Sequence, residues 1–183
     1  MTDTLIISAL LILNSYVAWQ YSKMPVESDF GIFAMWGMTG AVYGRDFVDC
    51  KSPGVHTWLM LLAKIKRDIK LVRFLHFFVT GAPALVYYIV THDTAGALAF
   101  LILVHSGWLY AFHGNVGDIP AGLIFLALIT GNTWAFIGLL VAATLYEPKL
   151  VVATSLMVLI RIQDVWLPSL VYGSVLAVSA AIL

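Results

Sequence analysis

The sequence predicts an all-α, polytopic membrane protein of about six to seven transmembrane spans, with juxtamembrane helices in its first outer loop. Composition is the first reason: 61% of the residues are hydrophobic and 11% charged, and the mean hydropathy is +0.94. Soluble domains carry roughly 25% charged residues. The second reason is the return of apolar runs along the whole chain, and the third is the gathering of polar residues into a few short stretches between them. Ten basic and ten acidic residues balance to zero, which leaves no basic face of the kind nucleic-acid binding requires. The lone Cys50 makes neither an intramolecular disulfide nor a thiolate metal set.

Residues 4–20 open the chain with an apolar run that no Lys or Arg precedes and no small-residue cleavage site ends, so they read as a retained first span. Residues 21–69 form an outer loop with juxtamembrane helices. In it, 30–42 carry Met35, Trp36 and Met38 and suit a helix lying at the headgroup level, while 53–65 are short for a crossing. Residues 70–183 then form a helical bundle with apolar runs at 70–91, 95–112, 118–131, 134–146, 149–161 and 166–183. A perpendicular crossing takes about 20 residues, so 4–20, 70–91, 95–112 and 166–183 are the good candidates. The pair 134–161 is broken by Glu147-Pro148-Lys149 and is either one kinked span or two half-helices. Trp19, Trp58, Trp134 and Trp166 read as interfacial anchors. No repeat divides the chain, and 1–183 is expected to be one membrane domain.

Two arguments about topology collide. Lys64, Lys66, Arg67, Lys70 and Arg73 are half of all the basic residues, and the positive-inside rule places such a cluster in the cytoplasm, which makes 53–65 a crossing helix. The arrangement favoured here keeps 20–68 together on one side, with 70–91 as the first return span. Only this second arrangement brings the polar turn 112–118 beside the first loop.

The chemistry concentrates in that first loop. Glu27-Ser28-Asp29-Phe30-Gly31 and Asp46-Phe47-Val48-Asp49-Cys50-Lys51-Ser52-Pro53-Gly54 hold four of the ten acidic residues. The order acidic-x-Asp-x-Gly-x-Phe, which runs from Glu27 to Phe33, is followed by Tyr43-Gly44 and then by Asp-x-x-Asp-x-Lys-x-Pro-Gly. This order resembles the first outer loop of GT-C-fold glycosyltransferases, the polyprenyl-phosphate-sugar-dependent group that includes protein O-mannosyltransferases and lipid A aminoarabinose transferases. Arg73, at the head of a span ending Val86-Tyr87-Tyr88, and the later Gly114-to-Asp118 turn follow the same family order.

The resemblance implies the fold of that family's N-terminal module and transfer of a sugar from a polyprenyl-phosphate carrier. Such transfer needs a carboxylate to activate the acceptor or hold a cation, and positive charge on the leaving phosphate. By resemblance Asp29 is the catalytic carboxylate, with Glu27 its close substitute and Asp118 a second acid. Lys51 contacts the carrier phosphate, and Arg73, Asp46, Asp49 and His113 complete the substrate-binding set. Simpler uses stand beside these: Asp29 and Asp118 as helix caps, and Lys51 as a snorkelling side chain or an ion-pair partner of Asp46 or Asp49. No cofactor is firmly implied; a divalent cation is the one that paired carboxylates admit. Full enzymes of the family are far longer, and the chain ends in an apolar run at Leu183. Three forms therefore stay open: a minimal transferase acting as a homo-oligomer, a half-enzyme completed by other membrane subunits, or a non-catalytic accessory subunit of a larger complex. The expected surroundings are membrane lipids in an inner or plasma membrane, with 21–69 on the non-cytoplasmic side.

A separate reading begins at His76 and His105, which lie in adjacent apolar runs as haem or pigment ligands do. Counted from the turn near Asp93 at about 1.5 Å per residue, they lie roughly 25 and 18 Å deep. That stagger points to cross-helix hydrogen bonding by each instead.

Overall fold

The computed structural model describes residues 2–25, 28–41, 44–46, 53–106, 118–147, 150–161, 170–175 and 177, and among them all regular structure is helical. The side chains of Ser28, Asp29, Phe33, Pro53, Val55, His56, Ser106 and Asp118 lie outside the description. The elements are α1 (Thr2–Lys23), α2 (Ser28–Thr39), α3 (Pro53–Ile65), α4 (Ile69–Thr91), α5 (Thr94–Ser106), α6 (Asp118–Ile129), α7 (Thr133–Tyr146) and α8 (Val151–Ile160). Among the described residues, α1 and α4 are the two helices long and apolar enough to cross a membrane. The chain divides into two compact units, Met1–Asp118 and Ile119–Leu183.

Local chemistry explains where the helices of the first unit begin and end. Asp3 in the first turn of α1 and Lys23 in its last complement the helix dipole. Asp68 caps α4: its backbone is extended, and its carboxylate accepts from the amides of Lys70 and Leu71 at 2.9 and 3.4 Å. His92 closes α4 in the left-handed conformation, its amide donating to the Tyr88 carbonyl. Asp93 opens α5 by accepting from the Gly96 amide at 3.0 Å, and it also accepts from the Tyr87 hydroxyl at 2.9 Å. These two donors, the amide foremost, hold the Asp93 carboxyl below its usual range.

The α1–α4 pair organises this unit. Tyr88 donates to Asp3 at 2.7 Å, Asn14 donates to the Phe78 carbonyl at 2.8 Å, Tyr21 stacks on Phe77 at 4.6 Å between centroids, and Arg73 donates to the Met24 and Pro25 carbonyls. Residue numbers rise along α1 as they fall along α4, so the helices are antiparallel. Leu10, Leu85, Tyr88 and Ala97 form one buried cluster along the seam, and Ala18, Tyr21 and Phe77 another.

Antiparallel pairing decides the topology of what lies between. The C-terminal end of α1 and the N-terminal end of α4 are neighbours, so residues 24–68 leave and return at the same end. A single crossing by 53–65 would make α1 and α4 parallel. Two crossings keep the parity, yet α2 and α3, at 12 and 13 residues, rise only about 18 and 20 Å against a hydrocarbon core of roughly 30 Å. Across a bilayer, an antiparallel α1–α4 pair leaves no place for a single crossing by 53–65. Instead α2 and α3 pack on one another and on α4. Their crossing is close at Gly37, where a Cβ would lie 2.9 Å from the Met60 Cα.

In the second unit, Ala127, Phe136, Ile137, Leu140, Val158 and Tyr172 are buried together. Thr154 bridges Thr144 and Tyr172 through hydroxyl contacts of 2.8 and 2.6 Å. The 134–161 stretch is two helices: Glu147 ends α7, its amide donating to the Ala143 carbonyl, and α8 begins at Val151.

At the centre of the α1–α4 seam, Gly81 admits Asn14. A Cβ on Gly81 would fall inside contact distance of Asn14 Oδ1 and 2.8 Å from His105 Nε2. Gly81→Ala is expected to lower the thermal midpoint of the purified protein by the equivalent of about 1–3 kcal/mol of overpacking. Adding Asn14→Ala should recover part of the loss. A Gly81→Ala midpoint equal to wild type would contradict the close approach.

Candidate functional site

The polar interior of the first unit is built where α1, α4 and α5 meet. Pro83 lies inside α4 and has no N–H to give to the Val79 carbonyl one turn before it. Asn14 Nδ2 donates to the Phe78 carbonyl in that turn, which leaves Asn14 Oδ1 as an acceptor. His105 Nε2 therefore carries the proton and donates to it across 3.0 Å. Tyr21 donates to the His105 carbonyl. One asparagine thus ties three helices, and it is fully buried.

Toward the end where 24–68 attach, a second group surrounds His76, also fully buried. The Trp58 indole N–H of α3 donates to His76 Nδ1 at 3.2 Å, so the ring proton sits on Nε2. The Phe30 ring of α2 meets His76 edge-on at 5.5 Å. His76 is therefore a residue of α4 that both motif-bearing helices touch. Among the described residues, His76 Nε2, His105 Nδ1 and Arg73 Nε have no hydrogen-bond partner. Both histidines bind across helices, the use that their stagger suggests.

Arg73, one turn before His76, is 2% exposed. Its Nη1 donates to the Met24 carbonyl and, at 3.2 Å, to that of Pro25. Its guanidinium lies 5.8 and 5.9 Å from the Phe30 and Phe77 rings. The side chain expected to bind substrate thus holds the backbone just before Glu27 and Asp29. Asp46 is exposed and paired in two places with Arg45, at 3.0 and 2.7 Å. Asp46 raises the Arg45 pKa above its ordinary value, through the hydrogen bond first and charge second.

The remaining expected site residues divide in two. Asp29 lies in the first turn of α2 and Asp118 opens α6, with their side chains outside the description. Glu27, Asp49, Lys51 and His113 lie outside the described residues. Among the described residues no group of three His, Cys, Asp or Glu side chains assembles to hold a metal ion. Sequence reasoning missed Asn14, although an asparagine within the apolar run 4–20 is the kind of signal that marks a buried polar contact. It also read Trp58 as an interfacial anchor, whereas its indole is turned inward to His76.

No family model, no curated protein and no solved structure matches this chain.

The Arg73 contacts make a prediction. Hydrogen bonds to a charged group contribute about 1.5–3 kcal/mol each, so Arg73→Gln should free the Met24–Pro25 backbone. Amide hydrogen exchange across residues 24–30 is expected to accelerate by roughly tenfold or more, with exchange at the Asp93 turn unchanged. Equal rates in the two proteins would show that Arg73 does not hold this segment.

Proposed function

We propose that the chain is an integral membrane protein carrying a GT-C-like glycosyltransferase module, which moves a sugar from a polyprenyl-phosphate carrier to an acceptor hydroxyl. The observation that supports this reading most is the convergence on His76. The helix that opens at Ser28-Asp29 and the helix that opens at Pro53, just after Lys51, pack on each other and both touch this one residue of α4. A loop whose acidic and basic pieces lie far apart in sequence needs such a layer to act as one site.

In the proposed reaction the acceptor oxygen attacks the anomeric carbon. The bond from that carbon to the phosphate oxygen breaks, and the acceptor proton passes to the Asp29 carboxylate. Lys51 meets the charge that develops on the leaving phosphate as a compact ammonium on a flexible stem. Arg73 positions the approach to Asp29 through the Met24 and Pro25 carbonyls. Asp29, Glu27 and Asp118 supply oxygen donors of the type that a divalent cation takes, and no step here is routed through one. The proposed setting is an inner or plasma membrane, with residues 21–69 on the non-cytoplasmic side, where the carrier's sugar is used.

A second reading, an accessory subunit of a larger membrane complex, is favoured by exposed apolar side chains in each unit, Ile12 and Leu103 in the first and Ile160 in the second. One substitution separates the two. General acid–base catalysis contributes about 10²–10⁴-fold, so Asp29→Asn should lower sugar transfer at least a hundredfold in a chain that keeps its helical circular dichroism. Undiminished transfer would remove the catalytic role and leave the accessory one.

A further inference from the structure

The turn from α3 to α4 carries a second feature that sugar transfer does not use. Lys64, Lys66, Arg67 and Lys70 fall within seven residues and are all exposed. No salt bridge engages them among the described residues. The one acid in the segment, Asp68, is turned to the Lys70 and Leu71 amides as the cap of α4. Four like charges crowded on a short turn repel one another, and among the described residues none of them is paired with a carboxylate.

The outward face of α3 beside them is apolar. Leu61 and Ile65, one helical turn apart, are 51% and 66% exposed, while Leu59, Leu62 and Ala63 on the other face are buried. Basic side chains beside protruding aliphatic ones form the pattern that lies in an anionic membrane surface: the apolar pair enters the acyl boundary and the ammonium groups meet phosphate. The turn also lies at the right level. It sits at the end of the α1–α4 pair where Lys23 places its ammonium 2.9 Å from the centroid of the Trp19 ring, a basic and aromatic pairing suited to the headgroup region.

We propose that the α3–α4 turn, with Lys64, Lys66, Arg67 and Lys70 flanked by Leu61 and Ile65, is a docking surface for the headgroups of anionic phospholipids. The proposal rests on the membrane reading above but not on sugar transfer. Its occupant is the leaflet that covers this end of the protein. Held there, the turn fixes the depth of α3 and, through the Trp58–His76 contact, that of the layer packed on α4.

The full chain, reconstituted into vesicles of equal phosphatidylglycerol and phosphatidylcholine and released for native mass spectrometry, tests this. Wild type should retain phosphatidylglycerol preferentially, and the preference should fall about fivefold for each charge neutralised. The Lys64→Gln, Lys66→Gln, Arg67→Gln, Lys70→Gln variant should show almost none. A Lys64→Arg, Lys66→Arg, Lys70→Arg variant should keep the preference, which separates lost charge from lost folding. Equal retention of the two lipids by wild type, or a preference unchanged in the glutamine variant, would overturn the proposal. Displacement of the lipid by millimolar inorganic phosphate would also overturn it, by revealing a site for a soluble anion. Failure of the chain to enter phosphatidylcholine vesicles at all would remove the membrane reading and the proposal with it.

Discussion

The first unit depends on one buried asparagine. Asn14 sits in an otherwise apolar stretch of α1 and satisfies both ends of its amide on other helices, the Phe78 carbonyl of α4 and His105 of α5. In an apolar surrounding, hydrophobic packing alone discriminates poorly between registers, since one aliphatic contact is much like another. Hydrogen bonds between helices in membranes average only about 0.6 kcal/mol, so this contact specifies more than it stabilises. Sliding α1 by one residue would strand the amide and the imidazole together, at a cost of about 1–3 kcal/mol for each unpaired group. Gly81 is the complement on α4: it carries no side chain that would block Asn14.

From that register the remaining geometry follows. Aligning Asn14 with Phe78 also aligns Asp3 with Tyr88 and the end of α1 with Arg73. The antiparallel pair then delivers residues 24–68 to one end, with α2 and α3 folded back against α4 near His76. The acidic start of α2, the Lys-Ser-Pro-Gly entry to α3 and the basic turn before α4 thus belong to a single segment anchored at both its ends. In the proposed function, a lipid-linked phosphate would meet the polar groups of this segment.

The legible part of the fold was what apolar length and cap chemistry control. The runs 4–20 and 70–91 lie within α1 and α4, Pro53 stands first in α3, and the Glu147-Pro148-Lys149 break separates α7 from α8. The positive-inside rule counts Lys64 to Arg73 as one population. In the structure Arg73 is buried on backbone carbonyls while the four residues before it are exposed, so only the latter face the surroundings. Trp58 misled, since a tryptophan near a helix end serves an interface or an internal acceptor equally well, and only its partner His76, 18 residues on, distinguishes them. Of the site itself, the motif order was readable from sequence, whereas the role of Arg73 as a holder of the Met24–Pro25 backbone needed three-dimensional structure.

The central claim is that the motif segment and the basic turn share one end of an antiparallel α1–α4 pair, and cysteine accessibility in sealed, oriented vesicles tests it most directly. In a Cys50→Ser background, single cysteines replacing Arg45, Lys66 or Asp93 would be treated with a membrane-impermeant maleimide from one side at a time. The structure predicts that positions 45 and 66 react from the same side and position 93 from the other. Labelling of 66 together with 93, and opposite to 45, would mean that α3 crosses and would contradict the account.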